Sequence, residues 1–454
     1  MEQGSIMKRL LATVIVGALA ATALAGCSSA ASGDTVVKVA YQTFGAFTQM
    51  DTHMKAVKKE YEANNKGVTV KLVPIAASEN DYYTKLALMN RSASTAPDVL
   101  YEDTFLIKSD AEAGYLAPLD AYVAKWKDWQ QFPDNAKKAG QGVDNKLYGI
   151  SMGTDTRALW YNKGLLEKAG VTVPWQPKTW KDLLDAAKKV KAAEPGVVPF
   201  NVYSGKPQGE AAVMQGFEML LYGTKDTLFD TQKNKWVLGS KGFTDSLGFI
   251  KDLYQGGLAP TPQQALDPNI GTTISTDWIP NGKLAIALDG SWQSGTWIES
   301  GAKPWPEWSS VLAQAPMPTQ NGQAPKVTSM SGGWTLALGS KSKNKDAAWG
   351  FIALALDQKN SKAYDIAASQ IPVRADVTSD PEYTKSNPTA AFFSDLVKNT
   401  HFRPADSDYA KISNAIQVAM ESVMTAQQSP QEAAADYDAA VTGIVGAKKT
   451  VTEK

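Results

Sequence analysis

Residues 35–42 (TVVKVAYQ) alternate apolar and polar positions, the two-residue period of a strand. From 49 to 64 the period changes. Met50, Met54, Val57 and Tyr61 recur at three- and four-residue steps, the stripe of a helix, and Gly67 marks its stop. Residues 68–75 (VTVKLVPI) predict a second strand, 81–89 (DYYTKLALM) a helix and 98–101 (DVLY) a short strand. A helical segment then runs to Gly114. Strands alternating with helices predict an α/β sheet flanked by helices.

The alternation continues. Residues 147–150 (LYGI) and 154–161 (TDTRALWY) predict strands, and GLLEKAG a helix ended by Gly170. Thr179 with Asp182 three positions on forms a capping box, which opens a helix over 180–193. Its Lys188, Lys189 and Lys191 read as a solvated face. Strands follow at 199–203, 283–288 (KLAIAL) and 334–338 (WTLAL). Helices are expected at 211–221, 243–255, 346–356 and 413–425, with one more from Pro430.

The start of the chain is different. Residues 10–25 are an apolar run of sixteen, where a membrane-spanning helix needs about 20. Lys8 and Arg9 precede it, and Leu24-Ala25-Gly26-Cys27 closes it. A basic flank, an apolar core and small closing residues make a secretory signal. The four closing residues resemble the bacterial lipobox, which implies lipidation at Cys27. Residues 1–26 are then a lipoprotein signal peptide and 27–33 a small, polar, flexible tether. The mature chain is expected outside the cytoplasm, lipid-anchored to the outer face of the cytoplasmic membrane. Cys27 is the only cysteine, so disulfides and cysteine metal sites are excluded by count.

More than 420 residues remain after the signal, enough for two domains. Lys plus Arg and Asp plus Glu number 46 each, which argues against a nucleic-acid partner. Only His53 and His401 are histidines; His53 reads as a partly exposed helix residue and His401 as part of a loop. No metal site and no cofactor are expected. The sequence holds no G-x-S-x-G, no Walker A spacing and no H-E-x-x-H. Glycoside hydrolysis stays open, because its carboxylate pair has no fixed spacing in sequence.

Five stretches carry a resemblance. Residues 97–119 (PDVLYEDTFLIKSDAEAGYLAPL) end in G-x-L-x-x-L, and 148–163 (YGISMGTDTRALWYNK) in Tyr-Asn-Lys. Residues 177–182 (PKTWKD), 281–292 (NGKLAIALDGSW) and 331–338 (SGGWTLAL) complete the set. In this order and behind a lipobox, they resemble the bacterial extracellular solute-binding proteins of ABC importers. The likeness is to the sugar-binding group that includes the maltose-binding proteins. Ser151 departs from it, standing where the family often has proline.

The resemblance implies an α/β, two-lobed periplasmic-binding-protein-like fold, each lobe a mixed sheet flanked by helices, with the ligand between the lobes. The first lobe is expected at 34–149 plus 313–370, the second at 150–312 plus 371–454. A monomer is expected that binds a carbohydrate, closes about a hinge, and delivers its ligand to ABC transporter permease subunits without chemistry. The other readings are a non-sugar solute (polyamine, metal or anion) on the same fold, or a secreted glycoside hydrolase.

Sugar hydroxyls need directional polar partners, and sugar C–H faces pack on aromatic rings. The resemblance places a stacking ring at Trp292, behind the Asp289-Gly290-Ser291 turn, with Asp289 a hydroxyl acceptor or a turn former. Trp334 follows Gly332 and Gly333, which permit close backbone approach, and would form the opposite wall. Trp278 is a weaker candidate of the same kind. Glu102 and Asp103 end a strand, where open α/β sheets bind ligands. Asp155 and Arg157 share a strand face, to touch ligand or to pair with each other. Arg374 in Ile371-Pro372-Val373-Arg374 resembles the family's P-x-R, as a fork for vicinal hydroxyls or a salt bridge between lobes. Gln42 and Phe44 follow the first strand and complete the candidates. Trp160, Trp175, Trp180 and Trp349 read as core, and Arg403 in the stretch HFRPADSD receives no role.

Overall fold

The structure is a computed structural model and describes residues 35–453. The expected signal peptide, Cys27 and tether lie outside these residues. Two separate sheets organise the chain. The first runs in the order Val68–Ala76, Thr35–Thr43, Val99–Asp103, Trp334–Gly339, Leu116–Ala117, and Gly149–Ser151 also pairs with Trp334–Gly339. Its first three strands are parallel, as helical crossovers require. Trp334–Gly339 joins antiparallel, setting Trp334 opposite Asp103 and Thr335 opposite Glu102. The helix Gln49–Asn64 buries Met50, Met54, Val57 and Tyr61, the stripe expected from sequence, against Val37, Val39 and Phe351. The helix Glu79–Asn90 covers the other face through Tyr82 and Leu86.

The second sheet runs Leu312–Ala315, Arg157–Asn162, Leu284–Gly290, Val198–Asn201. The helix Trp180–Ala193 packs behind it and starts as expected. The Thr179 hydroxyl accepts the Asp182 amide at 3.3 Å, and the Asp182 carboxylate accepts the Thr179 amide at 3.0 Å. Lys241–Gln255 and Tyr409–Met424 complete this core. Trp160, Trp175 and Trp180 are buried, while Trp349 is half-buried and stacks on Tyr122 at 5.2 Å. The expected helix at 211–221 begins as a wide turn, Ala211–Phe217, before becoming α-helical. Such turns occur often at functional sites.

Segments crossing between the sheets are knitted together. The amide of Thr154 donates to the Ile371 carbonyl and the Ile371 amide to the Thr154 carbonyl, both at 2.8 Å. The Thr154 hydroxyl donates to the Gly332 carbonyl at 2.9 Å and the Ser331 hydroxyl to the Asp155 carbonyl at 2.7 Å. Gly333 sits at φ +152°, and a Cβ there would lie 2.7 Å from the Gly153 carbonyl oxygen. Glycine is therefore what lets these two crossings touch.

Two expectations change. Residues 313–330, assigned by sequence to the first lobe, pack with the second sheet. Leu312–Ala315 pairs with Arg157–Asn162, and Ala315, Met317 and Met330 join that core. The chain rejoins the first sheet only at Trp334, because strand pairing rather than chain order decides membership. His53 is buried, not partly exposed, because the helix Gln358–Ala368 lays Tyr364 against its ring at 5.0 Å. Burial pushes the imidazole down to about 4.

Candidate functional site

A cavity of about 470 Å³ lies between the two sheets, lined from both. That volume is within the range of about 300–1,000 Å³ common for small-molecule sites. On the first-sheet side, Trp334 stacks on Tyr101 with centroids 4.3 Å apart and planes at 8°, and Tyr82 and Tyr83 each stand 5.9 Å from it. The antiparallel register fixes this: Trp334 opens its strand where Asp103 closes the paired one, and both reach the cavity. Gln42, near the end of the first strand, and Phe44, just past it, join the same wall, and the Gln42 amide donates to the Ala77 carbonyl at 2.9 Å.

On the second-sheet side, Trp292 folds back over Gly290. A Cβ at residue 290 would lie 2.0 Å from the indole, so no larger residue fits beneath this ring. The Arg157 guanidinium lies 4.8 Å from the centroid of Trp292, within cation–π range. Arg157 is also ion-paired with Asp155, whose carboxylate accepts the Gly332 amide at 2.8 Å. Asp155 and Arg157 are thus paired with each other, and both line the cavity. Asp289 accepts from Tyr203 at 3.0 Å, from Gln293 at 2.6 Å and from the Gly290 amide at 2.7 Å. Burial still pushes its carboxyl up to about 6, against those bonds and the nearby Arg157 charge.

One ion-pair group spans the cavity. Asp103 from the first sheet pairs with Arg403, which also holds Glu210 at 3.2 Å. Tyr83 donates to Asp103 at 2.9 Å, and Tyr409 to Glu210 at 3.3 Å. Burial works against the Arg403 charge, but Asp103 and Glu210 more than offset it and hold the guanidinium well above its usual range.

Nine of the twelve residues expected from sequence thus line one cavity: Gln42, Phe44, Asp103, Asp155, Arg157, Asp289, Trp292, Gly333 and Trp334. Three do not. Glu102 alternates to the opposite face of its strand from Asp103, is fully buried, and both its carboxylate oxygens lack a partner. Burial and the nearby Asp110 and Asp103 charges push it well above the usual carboxylate range. Trp278 ends a wide turn and packs on Ile274 and its neighbours instead. Arg374 is held by Asp128 at 3.0 Å, Asp376 at 2.8 Å and the Leu356 carbonyl at 2.7 Å, away from the cavity.

Sequence reasoning also missed Glu79, Glu210 and Arg403, all lining the cavity. Glu79 opens a helix, where a carboxylate reads as a dipole partner. Arg403 sits in a loop between Phe402 and Pro404, and only that rigid, aromatic setting hinted at more than a solvated charge. Among the described residues, no group of three or more His, Cys, Asp or Glu side chains is arranged to hold a metal ion. The arrangement offers two aromatic faces, several carboxylate acceptors and paired guanidinium donors, which is a set for holding a polar solute.

Residues 45–362 match the bacterial extracellular solute-binding protein family. The chain belongs to that family. Its members are binding proteins of ABC transporters rather than enzymes, and they work outside the cytoplasm. Two curated relatives from Bacillus subtilis are similar to this solute-binding protein along most of its length. The galactooligosaccharide-binding protein is 24% identical over 356 residues, covering 76% of each chain. The maltodextrin-binding protein is 23% identical over 393 residues, covering 83% of this chain and 84% of its own. Among solved structures, the GacH receptor of Streptomyces glaucescens, known unliganded and with acarbose, is 24% identical with a TM-score of 0.77. It covers 91% of this chain and 99% of its own. Maltose-bound MalE3 of T. maritima is 21% identical with a TM-score of 0.78, covering 90% of this chain and all of its own. The fold of this solute-binding protein is therefore the two-lobed periplasmic-binding-protein fold.

Proposed function

We propose that this solute-binding protein is a carbohydrate receptor, with an oligosaccharide as its ligand, feeding an ABC importer from a lipid anchor at Cys27. The observation that carries the reading is the pair of indoles, Trp334 and Trp292, contributed by different sheets to one cavity among carboxylates. Aromatic faces supply area for sugar C–H groups, and Asp103, Asp155 and Asp289 supply acceptors for hydroxyls. The relatives that bind galactooligosaccharide and maltodextrin support the same class. The lobes would hinge at the knitted crossings around Thr154, Gly332 and Ile371, burying the ligand as they close. A tether would raise the receptor's effective concentration at its permease.

The test is tryptophan fluorescence of protein lacking residues 1–33, titrated with mono- and oligosaccharides. A saturable change with one sugar class, lost in Trp292→Ala, is expected. Silence toward every sugar with a response to a polyamine would overturn the carbohydrate reading. For the anchor, Cys27→Ala should move the full-length protein from the membrane to the soluble fraction.

A further inference from the structure

Four rings form a cluster that the cavity does not use. Tyr122 stacks on Trp349 at 5.2 Å, Trp126 meets Trp349 edge-on at 5.6 Å, and Trp126 stacks on Trp129 at 6.5 Å. All four are half-buried, so each keeps part of its surface in water, and none lines the cavity. The Lys137 ammonium lies 5.2 Å from the Trp129 centroid. Residues 120–138 also carry Lys125, Lys127 and Lys138, against Asp120, Asp128 and Asp134, and Asp128 is already held by Arg374. The cluster sits where the described chain begins. The Tyr122 hydroxyl donates to Asp346 at 2.9 Å, and two residues earlier the Asn344 amide donates to the Val36 carbonyl at 2.8 Å. Val36 itself is 38% exposed. The strand Thr35–Thr43 then carries the chain about 20 Å, at roughly 3.3 Å per residue, before Gln42 reaches the cavity.

We propose that this aromatic face, Tyr122, Trp126, Trp129 and Trp349, rests on the phospholipid surface beside the lipid anchor. The placement depends on the reading of Cys27 as the lipidated residue. Thr35 comes eight positions after Cys27, and eight residues span at most about 29 Å. A folded body of about 420 residues has a radius of gyration of about 22 Å, so the tether is shorter than the body is wide. The surface around Val36 is therefore the part held at the bilayer, and the four rings belong to it. Tryptophan and tyrosine suit that boundary. Their ring bodies enter the edge of the acyl layer while the indole N–H and the phenol face the headgroups. Lysines lay their stems along the apolar surface and reach the lipid phosphates. Contact at this face holds the receptor in one orientation, with the cavity clear of the lipid at the other end of the strand Thr35–Thr43.

Fluorescence quenching tests the contact without relying on lipidation in the cell. Protein lacking residues 1–26 is coupled through Cys27, its only cysteine, to a maleimide-bearing lipid in vesicles of phosphatidylglycerol and phosphatidylethanolamine. Bromines on the lipid chains dim any tryptophan that reaches the acyl boundary. Dimming of the wild-type emission is expected, and Trp126→Phe, Trp129→Phe and Trp349→Phe together should remove more than about half of it. Trp278→Phe should leave it unchanged. No dimming of the wild type, or undiminished dimming in the triple variant, overturns the proposal. Should the triple variant not fold, the single exchanges Trp126→Phe and Trp129→Phe decide, each lowering the dimming where the rings face lipid. Self-association that the triple variant abolishes, with no dimming, assigns the face to a second copy of the chain and overturns the membrane contact. The anchor is judged separately. If Cys27→Ala leaves the full-length protein in the membrane fraction, the lipidation reading falls, while quenching of the coupled chain still decides the face.

Discussion

Arg374 and Arg403 are both buried, and each is held between two carboxylates, yet only one of them reaches the cavity. The partners of Arg374, Asp128 and Asp376, keep 35% and 23% of their side-chain surface exposed. Those of Arg403, Asp103 and Glu210, keep 5% each and come from opposite lobes. Although expected in the second lobe, Arg374 packs with the first: Val373 joins that core and the guanidinium lies over Phe132, so this arginine ties together parts of one body, with water still available to its partners. The second joins Asp103, which ends a strand of the first sheet, to Glu210 on the other side of the cavity. The same chemistry thus braces one body at one place and lines the cavity between the sheets at the other. What separates them is which bodies the partners belong to.

Replacing each arginine tests that distinction most sharply. Arg403→Met leaves two buried carboxylates uncompensated in the closed state, a cost of about 3–5 kcal/mol. Sugar affinity should fall more than ~100-fold by calorimetry, at ~1.4 kcal/mol per tenfold. Arg374→Met should lower the melting temperature and leave affinity within about threefold. Equal losses of affinity in the two variants would erase the comparison.

His53 extends it to a buried group that does not itself line the cavity. Its imidazole is neutral in the folded state, pushed down to about 4, while the unfolded chain takes the proton below about 6.5. Its contribution is therefore complete above about pH 6.5 and lost as pH falls toward 4, about 3 kcal/mol in all. Denaturant unfolding at neutral and acid pH should show that loss in the wild type and its removal in His53→Gln.

The indoles make a smaller contrast. Trp292→Ala and Trp334→Ala should each cost about 2 kcal/mol of sugar binding, roughly 30-fold. Trp278→Ala should change affinity by less than about threefold, because its ring packs on Ile274 and outside the cavity. A large effect at Trp278 would mean that the second wall extends further than the cavity does. The smallest effect belongs to the cap. Thr179→Ala removes the hydroxyl that accepts the Asp182 amide and should cost about 1 kcal/mol of stability, with binding unchanged.

Much of the cavity lining was legible because its residues sit at the ends of strands. Asp103 closes its strand, Trp334 opens the antiparallel one beside it, Trp292 follows one, and Arg157 opens one. A strand's end is visible in the local alternation, and open sheets bind at such ends. Glu102 failed for a local reason as well. One residue along a strand reverses the face, so of two neighbouring carboxylates only one could point into the cavity. Arg374 and Trp278 failed because a short motif does not say what surrounds it. Glu79 and Arg403 were missed for the opposite reason. Neither is part of any pattern, and each matters only beside groups far away in the chain, as with the 300 positions between Arg403 and Asp103.

By itself the sequence determined what local forces determine: the helical stripe of 49–64, the capped start at Thr179, and the strand alternation that makes an α/β chain. These depend on residues within a few positions of each other, so their energetics are written in order along the chain. The tertiary structure alone decided that residues 313–330 stay with the second sheet, that His53 is buried, and that Glu79, Glu210 and Arg403 line one cavity. Those outcomes depend on contacts between distant segments, where burial raises the cost of every unpaired charge and a partner's position outweighs the residue's own type.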